Sequence, residues 1–586
     1  MRHKIFYQTA LRVALGAALL SLNAGVITGR AQSVSFEDMS DSAGLTTAGP
    51  SNGISVHDFD GDGWDDIFIA TSKGPSKLFR NRGDATFEDV TEAAGLSTIG
   101  AATVALWGDV DADGIADLFV AADGGNRLFR NRGDAAFEDI TGISGIDTFA
   151  VPATAAFGDV DGDGALDLFL AVDRGPDILY RNTLDRVIFV DASAQAGIAG
   201  SSHVVPMQVT WVDYDYDNDL DLFCVHDGKD RSRLYRNAGF LPLIDIASTS
   251  RIDRYPDASV CCNMGTAWGD FDGDGFQDGY VTRIGRGGLF RNNGDGTFDD
   301  VAAERGVDRN GMSWGVVFAD LDNDADLDLF IVSTSGYDQT PTLLYRNDGG
   351  MFTEIGRQAG ASFLLDAKGL ASGDFNNDGL IDLVIAASDG RNRLLLNTST
   401  ETGHWVKVDL KRASRSPIGA RIEISAGGKT HVRSVSGGDS YASQSSSTLH
   451  VGLDTADQIE SLRVYWGGAL AQEERDLGVD AFHTVLENIQ TNSLEPPEPS
   501  LFRLEGNFPN PFEASTTIRY VISEPGPVWM EVFDALGRRM AIIVDGFKPA
   551  GAHEATFEAG RLESGPYFYR LHEGGRTTSR QMVLVK

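Results

Sequence analysis

Cysteine is nearly absent: Cys224, Cys261 and Cys262 are the only three in 586 residues. No zinc framework can be assembled from them. An exported chain could oxidise the adjacent pair into a vicinal disulfide or join one of the pair to Cys224, and three small buried thiols are the other reading. Basic residues are also scarce, with 49 Lys and Arg against 85 Asp and Glu and a net charge of -36. That balance argues against nucleic acid, whose phosphates demand Lys and Arg, and suits a protein that binds cations. Beyond the first thirty residues no segment approaches the about 20 apolar residues of a membrane span. Catalytic signatures are missing too: the chain has no nucleophile elbow, HExxH, P-loop or Rossmann fingerprint. The serines of "GDSYASQ" at 438–444 lack the elbow pattern, and His57, His203 and His226 follow no metal spacing and read as structural. No enzyme activity is expected from these features, and no catalytic residue is assigned.

What is present begins with an export leader over residues 1–31. Arg2, His3 and Lys4 precede an apolar run from Val13 to Ile27, and Gly29 and Ala31 are placed for cleavage. A membrane anchor is the alternative, but Ser21, Asn23 and Gly25 interrupt a run that is already short. Cleavage would remove four cations and no acid, leaving 45 against 85 and a charge of -40. At this length three or four domains are expected. The 68 glycines and 42% apolar content indicate a folded chain rich in turns.

One pattern then recurs. "DFDGDGWDDIFIA" from Asp58 returns from Asp109, Asp159, Asp213, Asp270, Asp320 and Asp374, at spacings of 51, 50, 54, 57, 50 and 54 residues. Each copy is followed by "LFRN" or "LYRN", weakening to "LLLN" at 394, and most then reach a turn and a segment such as "FEDVTEAAGL". A period near fifty marks stacked units. Short β-rich runs between Gly, Asn and Asp turns read as antiparallel strands, and repeated four-stranded sheets read as propeller blades. Seven acidic loops predict seven blades over residues 33–400. A linear solenoid would need polar capping repeats, which neither end supplies. The leading "FEDMS" strand is positioned to complete the last sheet and lock a ring.

The loop itself reads D-x-[DN]-x-D-[GNA]-x-x-D. Its oxygen-bearing positions one, three, five and nine are Asp58, Asp60, Asp62 and Asp66; Asp109, Asp111, Asp113 and Asp117; Asp159, Asp161, Asp163 and Asp167; and Asp213, Asp215, Asp217 and Asp221. The remaining copies supply Asp270, Asp272, Asp274 and Asp278; Asp320, Asp322, Asp324 and Asp328; and Asp374, Asn376, Asp378 and Asp382. Calcium takes six to eight oxygen ligands, and alternate residues of a curled loop aim theirs at one centre. Up to seven Ca2+ are therefore expected. The sharp turn at position six falls on Gly63, Gly114, Gly164, Gly275 and Gly379, with Asn218 a fair substitute and Ala325 the least secure. An EF-hand needs a bidentate Glu at position twelve, where this chain has Ile69, Val120, Leu170, Cys224, Val281, Ile331 and Ile385. A disordered acidic run would not carry an apolar strand in register with every copy.

With loop and blade in place, residues 33–400 resemble the FG-GAP or VCBS repeats of integrin α-chain propellers. That resemblance implies calcium on one face of a seven-bladed ring. The eponymous dipeptide survives as Trp107-Gly108, Phe157-Gly158 and Trp268-Gly269, while Phe318-Ala319 and Ser372-Gly373 depart from it. Residues 401–492 form the next domain, whose stretch 403–468, with "IGARIEI", "SYASQSS", "LHVGL" and "LRVYWGG", is similar to the ASPIC/UnbV module of the cartilage acidic protein family and reads as five or six strands. After the proline-bearing linker 493–500, residues 501–586 alternate as an Ig-like β-sandwich. They resemble the C-terminal sorting domain of the type IX secretion system of Bacteroidota-like bacteria. The resemblance implies contact with that machinery and delivery outside the outer membrane or into the medium.

The fold expected is thus all-β: a seven-bladed propeller, a small β domain and a C-terminal sandwich. The function expected is a secreted or surface calcium-binding scaffold that adheres to a protein or glycan. The alternative is a polysaccharide lyase or hydrolase with an uncharted site on the ring face. The blade-end arginines Arg80, Arg130, Arg181, Arg236, Arg291 and Arg346 are expected to pair with nearby acidic turns. Arg254 and Tyr255, in the longest interval between loops, are the candidate contacts for a partner.

Overall fold

A computed structural model describes residues 34–487 and 503–586, less short stretches at 147–149, 151, 174, 184–185, 199–204, 229–230, 240, 255–260, 413–414, 468–469, 476, 513, 523–525, 535–537, 549–550, 561 and 574–575. The leader, the linker 493–500, His203 and Tyr255 lie outside the described residues. The chain divides into two compact units between residues 489 and 490.

Strands dominate both units, as the turn-rich sequence requires. In the first blade, Ser51–His57, Asp66–Thr71, Lys77–Asn81 and Phe87–Asp89 form an antiparallel meander. Three more four-stranded meanders follow, running to Asp139, Asp191 and Asp245. The fifth and sixth blades share one sheet, because Asp278–Arg286 runs on past its own blade and pairs Ile284 with Met312 and Arg286 with Asn310. The last blade takes three strands from Ala367–Asn397 and a fourth from the other end of the blade region, where Phe36 pairs with Asn397 and Asp38 with Leu395. The described residues thus contain seven four-stranded meanders. Their innermost strands pack in succession, and Ala367–Gly373 packs back on Ser51–His57, so the ring is closed.

Each second strand opens on the position-nine aspartate and is an apolar run, as in Asp66–Thr71 and Asp167–Val172. These two strands are buried along their whole length. Neighbouring blades cover both faces, so no face is left for polar residues. Cys262 is disulfide-bonded and Cys224 is a buried free thiol, which removes the pairing to Cys224.

Residues 404–486 form seven strands in two sheets, five of them within residues 403–468, where five or six were expected. His404–Lys411 lies between Leu449–Asp454 and a parallel Ala481–Leu486. The other sheet runs Lys429–Ser434, Arg421–Ala426, Ile459–Tyr465 and Leu470–Glu474. This module belongs to the same compact unit as the blades, and Val406, Val408, Ile422 and Ile424 share a buried cluster with Leu106 and Phe157. The second unit packs a three-stranded and a four-stranded sheet around Leu504, Ile518, Tyr520, Val532, Tyr569 and Leu571, as a sandwich does.

Candidate metal centres

The acidic loops link the innermost strand of each blade to the second. In the first, Asp58 accepts the backbone N–H groups of Asp62 at 3.0 Å and Gly63 at 2.9 Å, which curls the loop around its own first carboxylate. The same two bonds recur at Asp109, Asp270, Asp320 and Asp374. Position six lies in the left-handed region in every copy, from φ +71° at Asn218 to +92° at Gly275, with Ala325 at +79°. Position four is left-handed as well, at Gly61, Ala112, Gly162, Tyr216, Gly273, Asn323 and Asn377, a feature the residue types conceal.

Position nine is held from elsewhere. Asp66 accepts the N–H of Phe59 at 3.2 Å and of Asn81 at 2.7 Å, and Asn81 is the last residue of "LFRN". Asn131, Asn182, Asn237, Asn292, Asn347 and Asn397 serve the other six aspartates in the same way at 2.7–2.8 Å. Each of these asparagines also donates from Nδ2 to the position-two carbonyl of the preceding blade's loop. Asn131 reaches Phe59 O at 2.8 Å, Asn182 reaches Val110 O at 2.8 Å, and Asn81 closes the circle on Phe375 O at 2.9 Å. The seven loops are therefore stapled into one ring. The recurring "N" of "LFRN" was the signal, but its partner lies a blade away.

Carboxylate oxygens converge within 4.8 Å of one another among Asp58, Asp60 and Asp62, and among Asp109, Asp111 and Asp117. They do likewise among Asp159, Asp161 and Asp167, among Asp213, Asp215 and Asp221, and among Asp270, Asp272 and Asp278. The position-five groups Asp113, Asp163, Asp217 and Asp274 stand outside these triples, each accepting the N–H two residues on. Whether a cation fits can be read from the oxygens themselves. One oxygen of Asp60, Asp111, Asp159, Asp161, Asp213, Asp221 and Asp272, and both of Asp322, are buried without a hydrogen-bond partner. Buried anionic oxygens left unpaired are costly, and a hard cation with oxygen preference satisfies them. Burial, with neighbouring aspartates adding to it, pushes Asp109 and Asp270 up to about 6, Asp213 to about 7, and the deeper Asp66 and Asp278 to about 9. These clusters can hold metal ions.

In the first three blades the arginines point at position three of the loop, where a paired turn was expected. Arg80 lies 2.8 Å from Asp60, Arg130 lies 2.6 Å from Asp111, and Arg181 pairs with Asp161. Arg346 does pair with its turn, at Asp348.

The module covers this loop face. Arg421 stacks between Tyr216 of the fourth loop and Tyr465, at 4.2 and 4.0 Å. Gln277 beside the fifth loop donates to Ser434 Oγ, and Asp454 donates its N–H to Asn323 O of the sixth. From the same module, "SGGDSYASQSS" at 436–446 enters the centre of the ring and bonds the innermost strand of every blade. Gln444 pairs with Trp107 through both N–H and carbonyl, its backbone with Ile54 and Val56, and Gly437 accepts from Phe157. Gly438 accepts from Thr210, Ser440 pairs with Thr266 and accepts from Val316, and Ser446 donates to Ser372 O. Ser440 is fully buried with its Oγ on the Val316 N–H, which is a plug residue's environment. His57 stacks on Trp107, and burial holds it down at about 3. Arg254 is exposed beside the end of the fourth blade.

A closed ring of antiparallel sheets with acidic loops on one face defines a β-propeller. The description "FG-GAP-like repeat" matches at residues 58–120, 109–170, 159–224 and 270–331. "ASPIC and UnbV" matches at 410–492 and "Secretion system C-terminal sorting domain" at 507–586. The chain thus carries FG-GAP-like repeats, an ASPIC and UnbV domain and a type IX sorting domain, which directs it to the cell surface or extracellular space. It is similar to cartilage acidic protein 1 of Xenopus tropicalis, 25% identical over 42% of this chain and 39% of that one. Cartilage acidic protein 1 of Homo sapiens is 34% identical over 17% of this chain and 15% of its own. The matches therefore span well under half the length of these relatives. Among solved structures, one described as specific recognition of non-reducing terminal N-acetylglucosamine by an Agrocybe aegerita lectin aligns at 17% identity. Its TM-score is 0.37, covering 60% of this chain and 94% of that one. Among the described residues no helix is long and apolar enough to cross a membrane.

Proposed function

We propose that this protein is a calcium-stabilised propeller scaffold that, once exported, binds an extracellular protein or glycan. The observation that carries the calcium reading is the set of buried, unpartnered carboxylate oxygens in successive loops. Ca2+ would be held by positions one, three, five and nine, and when bound it supplies charge neutralisation and cross-linking of the loop, with no chemistry on a substrate. The chain's own residues do the rest: backbone N–H groups orient the first aspartate, and the asparagine staples orient the ninth. With the plug in the channel and the module over the loop face, the surfaces left for a ligand are the opposite face and the blade rims.

Two measurements test this reading. Excess chelator is expected to lower the melting temperature of the first unit by several degrees or more, and an unchanged melt would remove the calcium role. A glycan and protein array, probed with and without calcium, is expected to show saturable binding without turnover. Depolymerisation of a member of a polysaccharide panel would favour a lyase or hydrolase instead.

A further inference from the structure

We propose that the seventh acidic loop is neutralised by the protein itself: the ammonium of Lys407 sits on its position-one carboxylate and replaces the charge of a metal ion, making this loop the socket on which the module docks. The inference rests on the calcium reading of the other loops. Lys407 lies in the module strand His404–Lys411, with its side chain almost fully buried. Its Nζ donates to Asp374 Oδ2 at 3.0 Å and to Asn377 Oδ1 at 2.7 Å. Asp374 is position one and Asn377 position four of the loop.

A second observation separates this loop from the rest. Each of the first six has at least one buried ligand-position oxygen without a partner, and the seventh has none. Asp374 Oδ1 accepts the Asp378 N–H, and Oδ2 accepts both the Gly379 N–H and the ammonium. Position three is the amide Asn376, whose Nδ2 donates to Asp378 Oδ2 at 2.9 Å while Asp378 Oδ1 takes the Leu380 N–H. Asp382 is satisfied by the N–H groups of Phe375 and Asn397. The backbone bonds to Asp374, Asp378 and Asp382 recur in other loops, whereas the ammonium on Asp374 and the Asn376–Asp378 bond are peculiar to this one; a dication entering here would have to sit within a few ångströms of a buried ammonium, and like charges at that distance repel strongly where water is excluded. The neutral amide at position three fits the same economy, since a monovalent lysine needs fewer opposing carboxylates than Ca2+ does.

Metal counting on the full chain tests the assignment. Native mass spectrometry of the calcium-saturated protein is expected to find at most six ions. Asp109→Asn should lower the count by one and Asp374→Asn should leave it unchanged, while Lys407→Gln combined with Asn376→Asp should raise it by one. Loss of an ion on Asp374→Asn, or seven ions in the unaltered chain, overturns the proposal and leaves the calcium reading intact. A chain that binds no calcium defeats the calcium reading instead. Lys407→Met then decides the socket alone: melted in chelator, it should lower the melting temperature of the first unit, and an unchanged melt overturns the socket as well.

Discussion

At the scale of single residues, the loops depend on backbone conformations that L-residues resist. Ala325 sits at φ +79°, where six other blades place Gly or Asn. A left-handed alanine costs on the order of 1 kcal/mol that glycine avoids. Ala325→Gly is therefore expected to stabilise the first unit by about 1 kcal/mol, seen as a rise in melting temperature of the calcium-loaded chain. Proton binding gives a second expectation. Burial lifts Asp109 to about 6, Asp117 to about 8 and Asp66 to about 9 in the metal-free fold, whereas an unfolded carboxyl titrates near 4. Folded values above unfolded ones mean that the metal-free fold binds protons the unfolded chain has released. The contribution of these carboxyls to its stability is full below about pH 4 and is lost as pH rises through about 6 to 9. Calorimetry in chelator should show the melting temperature falling across that window, with the rise on adding calcium growing over the same range. A flat profile in chelator would mean these carboxyls are not desolvated as described.

At the scale of elements, the unit of construction is a blade tied to its predecessor through one amide. Asn131 accepts nothing from the ion site directly; it presents its N–H to Asp117 and its Nδ2 to Phe59 O. Asn131→Ala keeps the backbone bond and removes the staple, leaving a buried carbonyl unpaired at a cost of about 1–3 kcal/mol. Thermal melts should show that loss in the first unit. An effect within error would mean that water or a neighbour replaces the amide. The glycine closing each "FG" pair has a comparable role: a Cβ at Gly158 would lie 2.7 Å from the Trp211 ring of the next blade.

At the scale of the whole molecule, the first unit is a ring with its axle supplied by a later segment of the same chain. Gln444 satisfies both the N–H and the carbonyl of Trp107 from its one side chain. Gln444→Ala should strand both groups and destabilise the first unit by about 1–3 kcal/mol, while the sandwich unit keeps its own transition in the calorimeter. A uniform shift of both transitions would contradict the division into two units.

Much of this is legible in the sequence. Period, loop chemistry and turn positions follow from local residue types, because a D-x-D-x-D-G run and its apolar strand are specified by neighbours in the chain. The seven meanders, the left-handed sixth position and the strand lent by Phe36–Asp38 all follow from patterns within fifty residues or from one displaced copy. What remained hidden depends on residues far apart in sequence. No local pattern connects Asn131 to Phe59, Gln444 to Trp107 or Lys407 to Asp374, contacts that exist only because the ring closes and the module lands on it. Local chemistry by itself thus determined what each loop could hold; the tertiary structure decided which oxygens remain unpaired, since only packing brings a distant donor within hydrogen-bond reach.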